Sequence, residues 1–295
     1  MKGRVDAHQH FWAYSPDEFG WIAPDSVLAR NHGPQDLFPL LAAEGMAGTV
    51  AVQARQTEAE TRWLLQMADE HPWIVGVVGW IDLRAPDLDM RLRALAHHPK
   101  LSGFRHVVQD EPDPRFLLDA AFQRGVRAVL AAGLVYELLV RAPQLDHVPA
   151  FLDALGEAPE AAGRIVIDHG AKPAIVAGEW EPWAGRIAAI ARRYPVTCKL
   201  SGLVTEADHQ TWREDEVRRY MQHLLDCFGP ERLMFGSDWP VCLLAASYER
   251  VHDLARRFLE PLAEHEREAI MGGNARRIYA RAPGRIDIQS MRGAA

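Results

Sequence analysis

The chain has 295 residues, 48% of them apolar and 25% charged, with a net charge of −7. That is the profile of a soluble globular protein. The absence of a basic stripe to neutralise phosphates argues against a nucleic-acid partner, and without an apolar run of about 18 residues no membrane span is expected.

An α/β barrel of roughly 250 residues accounts for this length as one domain, so a single domain over 1–295 is expected. Asp6 and His8 interrupt the first ten residues before an apolar signal-peptide core can form. The three cysteines, Cys198, Cys227 and Cys242, are odd in number and lack metal-ligand spacing. They read as reduced thiols, and a cytoplasmic location is expected.

Strand-like runs and helix patterns alternate along the chain. The first strand is Arg4–His8. Residues 11–33 show neither pattern but carry Phe11, Trp12, Tyr14, Phe19 and Trp21. A loop this long in a compact domain is usually functional, and its position after the first strand puts it over a barrel mouth. Pro34 opens a helix ending near Gly45, and Thr49–Gln53 is the second strand. Thr57-Glu58-Ala59-Glu60 is a capping box for a helix that stops before Pro72. Then come strand Ile74–Ile81, helix Pro86–His97, strand Leu101–His106, helix Pro114–Ala132 and strand Leu134–Val140. The series continues with helix Val148–Leu155, strand Arg164–Asp168, helix Trp180–Arg193 and strand Val196–Leu200. Helix His209–Phe228, strand Arg232–Phe235, helix Ser247–Leu259 and a last helix, 264–280, complete it. Several strands are short Val/Ile/Leu runs, as expected when both faces are buried. Eight strands alternating with helices, in units of about 33 residues, indicate a (β/α)8 barrel rather than an open doubly wound sheet. No Gly-x-Gly-x-x-Gly follows the first strand, so no nucleotide or organic cofactor is expected.

In such a barrel chemistry sits at the C-terminal ends of the strands. Strand one ends in His8-Gln9-His10. Alternate residues of a strand share a face, about 6.6 Å apart at a rise of about 3.3 Å per residue, so both imidazoles can grip one ion or one substrate oxygen. With 13 histidines in 295 residues, chance readily supplies such a pair. It gains meaning from the other strand ends: Arg105-His106, Asp168-His169 with Lys172, Lys199-Leu200-Ser201, and Ser237-Asp238-Trp239. Each has an ordinary alternative. A strand-end histidine is often only hydrogen-bonded, Gly236-Ser237-Asp238 can be a turn, Lys199 can snorkel to solvent, and Asp168 can orient a neighbour. Arg105 and His106 are adjacent, so only one faces inward. The recurrence of polar groups at five strand ends is the stronger signal.

The set Asp6-Ala7-His8-Gln9-His10-Phe11-Trp12, Gly103-Phe104-Arg105-His106, Asp168-His169-Gly170-Ala171-Lys172-Pro173, Lys199-Leu200-Ser201-Gly202-Leu203, Phe235-Gly236-Ser237-Asp238-Trp239-Pro240 and Gly273-Asn274-Ala275-Arg276-Arg277-Ile278-Tyr279 resembles the sugar-lactonase branch of the amidohydrolase superfamily, over essentially the whole chain. The resemblance implies hydrolysis of a sugar-acid lactone, with L-fuconolactone and L-rhamnonolactone as models. It matches His8, His10, His169 and Asp238 to the superfamily's metal and catalytic positions. Leu134–Val140 has no histidine and no bridging lysine is in place, so a two-metal site is not expected. Three histidines and one aspartate suit a single Zn²⁺, although members of this branch also work without metal.

A mechanism follows for these residues. Asp238 activates water. His8, His10, His169, Arg105, His106 and Lys172 are the candidates for stabilising the oxyanion and bonding substrate oxygens. Trp12, Trp21 and Trp239 are the candidates for packing on a sugar ring. A dicarboxylate substrate would demand several convergent arginines; only Arg105 clearly ends a strand, with Arg30 and Arg55 as others that could reach in, so a neutral lactone is favoured. The alternatives are a dicarboxylate or aromatic-catabolism lactone hydrolase, a zinc decarboxylase, and an inert barrel serving as a binding module. A monomer or small homo-oligomer is equally allowed.

Overall fold

The computed structural model describes residues 3–156 and 163–279. Eight parallel strands run in the order β1 (Arg4–Gln9), β2 (Met46–Val52), β3 (Ile74–Gly79), β4 (Leu101–His106), β5 (Val135–Leu138), β6 (Ile165–Ile167), β7 (Thr197–Leu200) and β8 (Leu233–Phe235). The ring closes beyond the strand ends. The His10 amide donates to the Trp239 carbonyl at 2.7 Å and the Asp238 amide to the His8 carbonyl at 2.9 Å, with a parallel bridge between Gln9 and Trp239. The predicted (β/α)8 barrel is the observed fold.

The helices pack outside: α1 (Pro34–Ala43), α2 (Glu58–Glu70), α3 (Leu88–Ala96), α4 (Ala120–Ala131), α5 (Val148–Ala154), α6 (Trp183–Arg193), α7 (Glu214–Phe228) and α8 (Tyr248–Leu259). The Thr57 side chain caps α2 by accepting from the Glu60 amide, as the capping box predicts. Two predicted helices are shorter than their patterns. The segment from Pro114 gives one turn, Phe116–Leu118, and α4 starts afresh where Asp119 accepts from the Phe122 amide at 2.7 Å. The segment from His209 is held as a turn by the Asp208 carboxylate, which accepts from the amides of Gln210 and Thr211, so α7 begins only at Glu214.

Two apolar layers result. The larger lies between the strands and the helices. The smaller fills the lower barrel with Val5, Ala7, Val50, Val52, Val78, Val135, Val166 and Met234, sealed by Ala275, Ile278 and Tyr279. Those last three belong to the C-terminal segment, α9 (Glu264–Glu268) and α10 (Asn274–Tyr279), split by a wide turn over Ala269–Gly273. The break falls where Gly272 crosses β1 so closely that a Cβ would lie 2.4 Å from the Val5 nitrogen. Ala280, the last position of the predicted 264–280 helix, lies outside the described residues. With the bottom sealed by apolar side chains, access to the interior is from the top.

The loop 11–33 has its own small core of Trp12, Phe19, Ile22 and Leu28. It is pinned by paired amide–carbonyl bonds between Trp12 and His32, 3.0 Å each. Its Trp12, Glu18 and Trp21 line the cleft at the barrel mouth, and Arg55 beyond β2 pairs with Glu18. Cys198 and Cys242 are buried, Cys227 is half-buried, and all three are unpaired. Among the described residues no helix is long and apolar enough to cross a membrane.

Candidate active site

His8 and His10 leave the end of β1 side by side, with ring centroids 4.9 Å apart and Nε2 atoms 3.2 Å apart. Asp6 fixes this strand end to the neighbouring one: its Oδ1 accepts from the amides of His8 at 3.1 Å and Ser237 at 2.9 Å. Across the mouth stand His169, after β6, and Asp238, after β8. Asp238 Oδ1 lies 3.4 Å from His10 Nε2, 3.7 Å from His8 Nε2 and 3.9 Å from His169 Nε2.

Both His169 (φ 51°) and Asp238 (φ 58°) have left-handed backbone, as do Ala171 and Lys172; among the described residues no other non-glycine does so. That conformation costs about 1–2 kcal/mol per residue. Its concentration at two strand ends is where functional strain is stored. Gly202, itself at φ +63°, lets β7 pass the His169 ring, which a Cβ there would approach to 2.5 Å at Nδ1. Ser201 Oγ then bonds His169 Nδ1 at 2.8 Å, turning Nε2 toward the mouth.

Burial sets the charges. It pushes the His8 imidazole well below the usual range, with the Lys199 charge adding to it, and lowers His169 to about 4. Burial alone would raise Asp238, but His169, His10 and His8 outweigh it and hold the carboxyl well below its usual range. At neutral pH the centre is therefore a buried carboxylate among imidazoles, with His8 and His169 neutral.

Beneath it lies a layer of buried polar groups. Arg105 Nη1 donates to Asp168 Oδ2 at 3.0 Å, and its Nη2 to the Gln53 carbonyl and side chain at 2.5 and 3.0 Å. Lys199 pairs with Glu137 at 2.6 Å and Asp168 at 3.1 Å. Burial would raise Asp168, yet Lys199, His8 and Arg105 hold it well below its usual range. Burial and the Asp168 charge push Glu137 up to about 7.

A cleft of about 810 Å³ opens above the centre, and His10, His169, Asp238, Arg105, Lys172, Trp12 and Trp21 line it together. His8, fully buried, lies behind His10. Two expected substrate contacts are elsewhere. Of the adjacent pair on β4, Arg105 faces the cleft and His106 faces outward. There His106 accepts from Trp80 Nε1 at 3.2 Å, bonds Glu111 at 2.6 Å and stacks on Phe116 at 4.9 Å. Trp239 is buried against Phe11 and His32, where its carbonyl closes the barrel. Lys199 does not reach solvent, and Asp168 orients neighbours without lining the cleft. Sequence reasoning missed Gln53, Glu137 and Tyr279. The available signal was a charged residue inside an apolar strand, Val135-Tyr136-Glu137-Leu138. Gln56, Glu18, Asp110 and Arg141 of the outer wall carry no motif; of the two further arginines that could reach in, Arg55 lines the cleft.

The donor set has the spacing of a zinc site but not its polarity. Zn–N bonds of about 2.0–2.1 Å in a tetrahedron put ligand atoms roughly 3.3–3.4 Å apart. The spacing of His8, His10 and Asp238, 3.2–3.7 Å, is of that size. The polarity around His8 is not suitable: Lys199 Nζ stands 2.8 Å from its Nδ1 and Arg105 Nη1 3.2 Å from its Nε2. A cationic donor against each nitrogen opposes a metal cation at His8.

The amidohydrolase family model matches residues 5–281. An L-fucono-1,5-lactonase of Burkholderia multivorans is 46% identical over 94% of this chain and 96% of its own. One of Burkholderia ambifaria is 39% identical over 95% and 96%. The crystal structure of an amidohydrolase from Burkholderia multivorans with bound zinc superposes with a TM-score of 0.87 at 43% identity, over 95% of this chain and 99% of that one. With its barrel, its strand-end constellation and this whole-length match, the chain belongs to the amidohydrolase family, in its sugar-lactonase branch.

Proposed function

We propose that this protein opens a neutral sugar-acid lactone of the L-fucono-1,5-lactone type to the aldonic acid. The observation that carries this reading is a charged, buried carboxylate, Asp238, set among His10 and His169 at the floor of a cleft whose cations are already neutralised. Arg55 pairs with Glu18 and Glu60, Arg105 with Asp168, Arg141 with Asp110, and Lys172 with Glu206. A dicarboxylate lactone needs uncommitted cations to meet its charges; a sugar lactone needs hydrogen-bonding groups and an apolar wall. Trp12 and Trp21 meet edge to face at 5.9 Å, and Trp21, half exposed, supplies that wall for the ring.

Asp238 takes a proton from water as the water attacks the lactone carbonyl. The developing oxyanion accepts from a cleft donor, Lys172, whose pairing with Glu206 uses one of its three protons. Collapse breaks the ring C–O bond, and the proton held on Asp238 passes to the leaving alkoxide. An ester is activated enough for these groups alone to suffice, and no step requires His8 to hold a metal.

A pH-indicator assay on a panel of aldonolactones and dicarboxylate lactones tests the reading, with as-purified and chelator-treated protein. Acid release from L-fucono-1,5-lactone or a close isomer is expected, unchanged by chelation. No turnover across the neutral panel, or preference for the dicarboxylates, overturns it.

A further inference from the structure

Behind the cleft the polar layer forms a directed chain. Lys199 is wholly buried. An ammonium has three protons and no lone pair, and three acceptors surround it: Glu137 Oε1 at 2.6 Å, His8 Nδ1 at 2.8 Å and Asp168 Oδ1 at 3.1 Å. Each proton has one destination. Glu137 is held in turn by the Tyr279 hydroxyl, 2.5 Å from the same Oε1, so the C-terminal helix that seals the barrel also aims Lys199.

The other end is equally constrained. His10 Nδ1 lies 2.9 Å from the Val52 carbonyl, which can only accept, so this nitrogen carries a proton. Were His10 Nε2 protonated as well, His8 would have to accept on both of its nitrogens. The shortest contacts fix one assignment: Lys199 donates to His8 Nδ1 at 2.8 Å, His8 Nε2 donates to His10 Nε2 across 3.2 Å, and His10 Nδ1 donates to Val52. Arg105 Nη1 carries two protons: one goes to Asp168 Oδ2 at 3.0 Å, and the other faces His8 Nε2 at 3.2 Å, a longer contact than the 2.8 Å one from Lys199 and the one that would favour the opposite tautomer.

We propose that Lys199, aimed by Glu137 and Tyr279, is a positioning residue that keeps the His8 proton on Nε2, so that His8 serves the centre as a donor to His10 and not as a lone pair for a cation. His10, which lines the cleft beside Asp238, is thereby fixed in ring orientation and tautomer. Neither Lys199 nor His8 touches the cleft. The catalytic consequence rests on the lactonase reading; the hydrogen-bond assignment does not.

The test begins without substrate. Long-range ¹H–¹⁵N correlation spectra of histidine-labelled protein, with His8 assigned by loss of its signals in His8→Gln, report which nitrogen bears the proton. A protonated Nε2 and an unprotonated Nδ1 are expected in the wild type. The reverse tautomer, or a doubly protonated ring, overturns the proposal. Lys199→Met combined with Glu137→Gln then removes both charges of the pair. The His8 proton should move toward Nδ1, where Asp168 Oδ1, now 3.6 Å away, can accept it. kcat should fall about 10–100-fold, as for other groups that orient a catalytic histidine, with KM within about twofold. A folded double variant with unchanged tautomer, or with unchanged kcat, overturns it. Tyr279→Phe should shift both readouts the same way by less. Should the double variant fail to fold, the wild-type spectrum alone still decides the assignment. If the aldonolactone panel shows no turnover, the functional reading falls while the spectrum still tests His8.

Discussion

His169 and His106 are both strand-end histidines with lowered pKa, and burial is the leading cause in each. They differ in what their hydrogen bonds leave open. His106 is saturated: Trp80 occupies one nitrogen, Glu111 the other, and Phe116 covers the face. His169 has one nitrogen on Ser201, and its other faces Asp238 and the cleft. A histidine at a barrel mouth is thus available for chemistry only when its surroundings satisfy one nitrogen and withhold a partner from the second.

The largest test of this contrast is Asp238→Asn. Removing the carboxylate while keeping its shape should lower kcat about 10²–10⁴-fold, the range of a positioned general base. Thermal unfolding should hardly change, since the local strain is kept. A kcat within threefold of wild type would move the base elsewhere. Next is Ser201→Ala, which frees the His169 ring to rotate. Loss of an orienting partner typically costs about 10–100-fold, and the loss should appear in kcat more than in KM. The complementary change, His106→Phe, should do the reverse. Turnover should stay near wild type, while unfolding free energy falls by about 1–3 kcal/mol because Trp80 Nε1 and Glu111 lose a buried partner. Activity loss in His106→Phe without destabilisation would show that the cleft extends to β4.

The contrast also explains how far the sequence could be read. The barrel was legible because each strand is a short apolar run and each connection has the right length. His8, His10, His169 and Asp238 were legible as polar groups at strand ends. Which of Arg105 and His106 turns inward is not legible in the sequence, because alternation allows either. The structure settles it through Asp168 and Gln53, two partners far away in the chain. Trp239 looked like a ring-stacking residue from its place beside Asp238, yet its backbone is used to close the ring of strands, and that commits the indole to the core. Glu137 and Tyr279 were illegible for a deeper reason. A buried charge is tolerable only with its partner, since removing one member of such a pair costs about 3–5 kcal/mol. The partner of Glu137, Lys199, lies two strands away, and no local pattern joins them.

His32 is a third case, and it gives the smallest expected effect. It lies in the cover loop, wholly buried, with its ring T-shaped to Trp12 and to Trp239 at 5.3 Å each, and among the described residues neither ring nitrogen has a hydrogen-bond partner. Burial, helped by the Arg30 charge, lowers its pKa to about 4. The unfolded chain, near 6.5, therefore binds the proton more readily than the folded one. The sign follows: the stability this neutral ring secures is complete above about pH 6.5 and is lost as pH falls toward 4. His32→Phe keeps the aromatic packing and removes the titration. Between pH 7 and 5 the wild type should lose on the order of 1 kcal/mol more unfolding free energy than the variant, measured by urea titration at each pH. His8 and His169 titrate alike in both proteins, so they cancel from the difference. Equal losses would mean that His32 finds a proton acceptor in the folded loop. It would then resemble the saturated His106, and the loop would be held by a polar contact and not by its small apolar core.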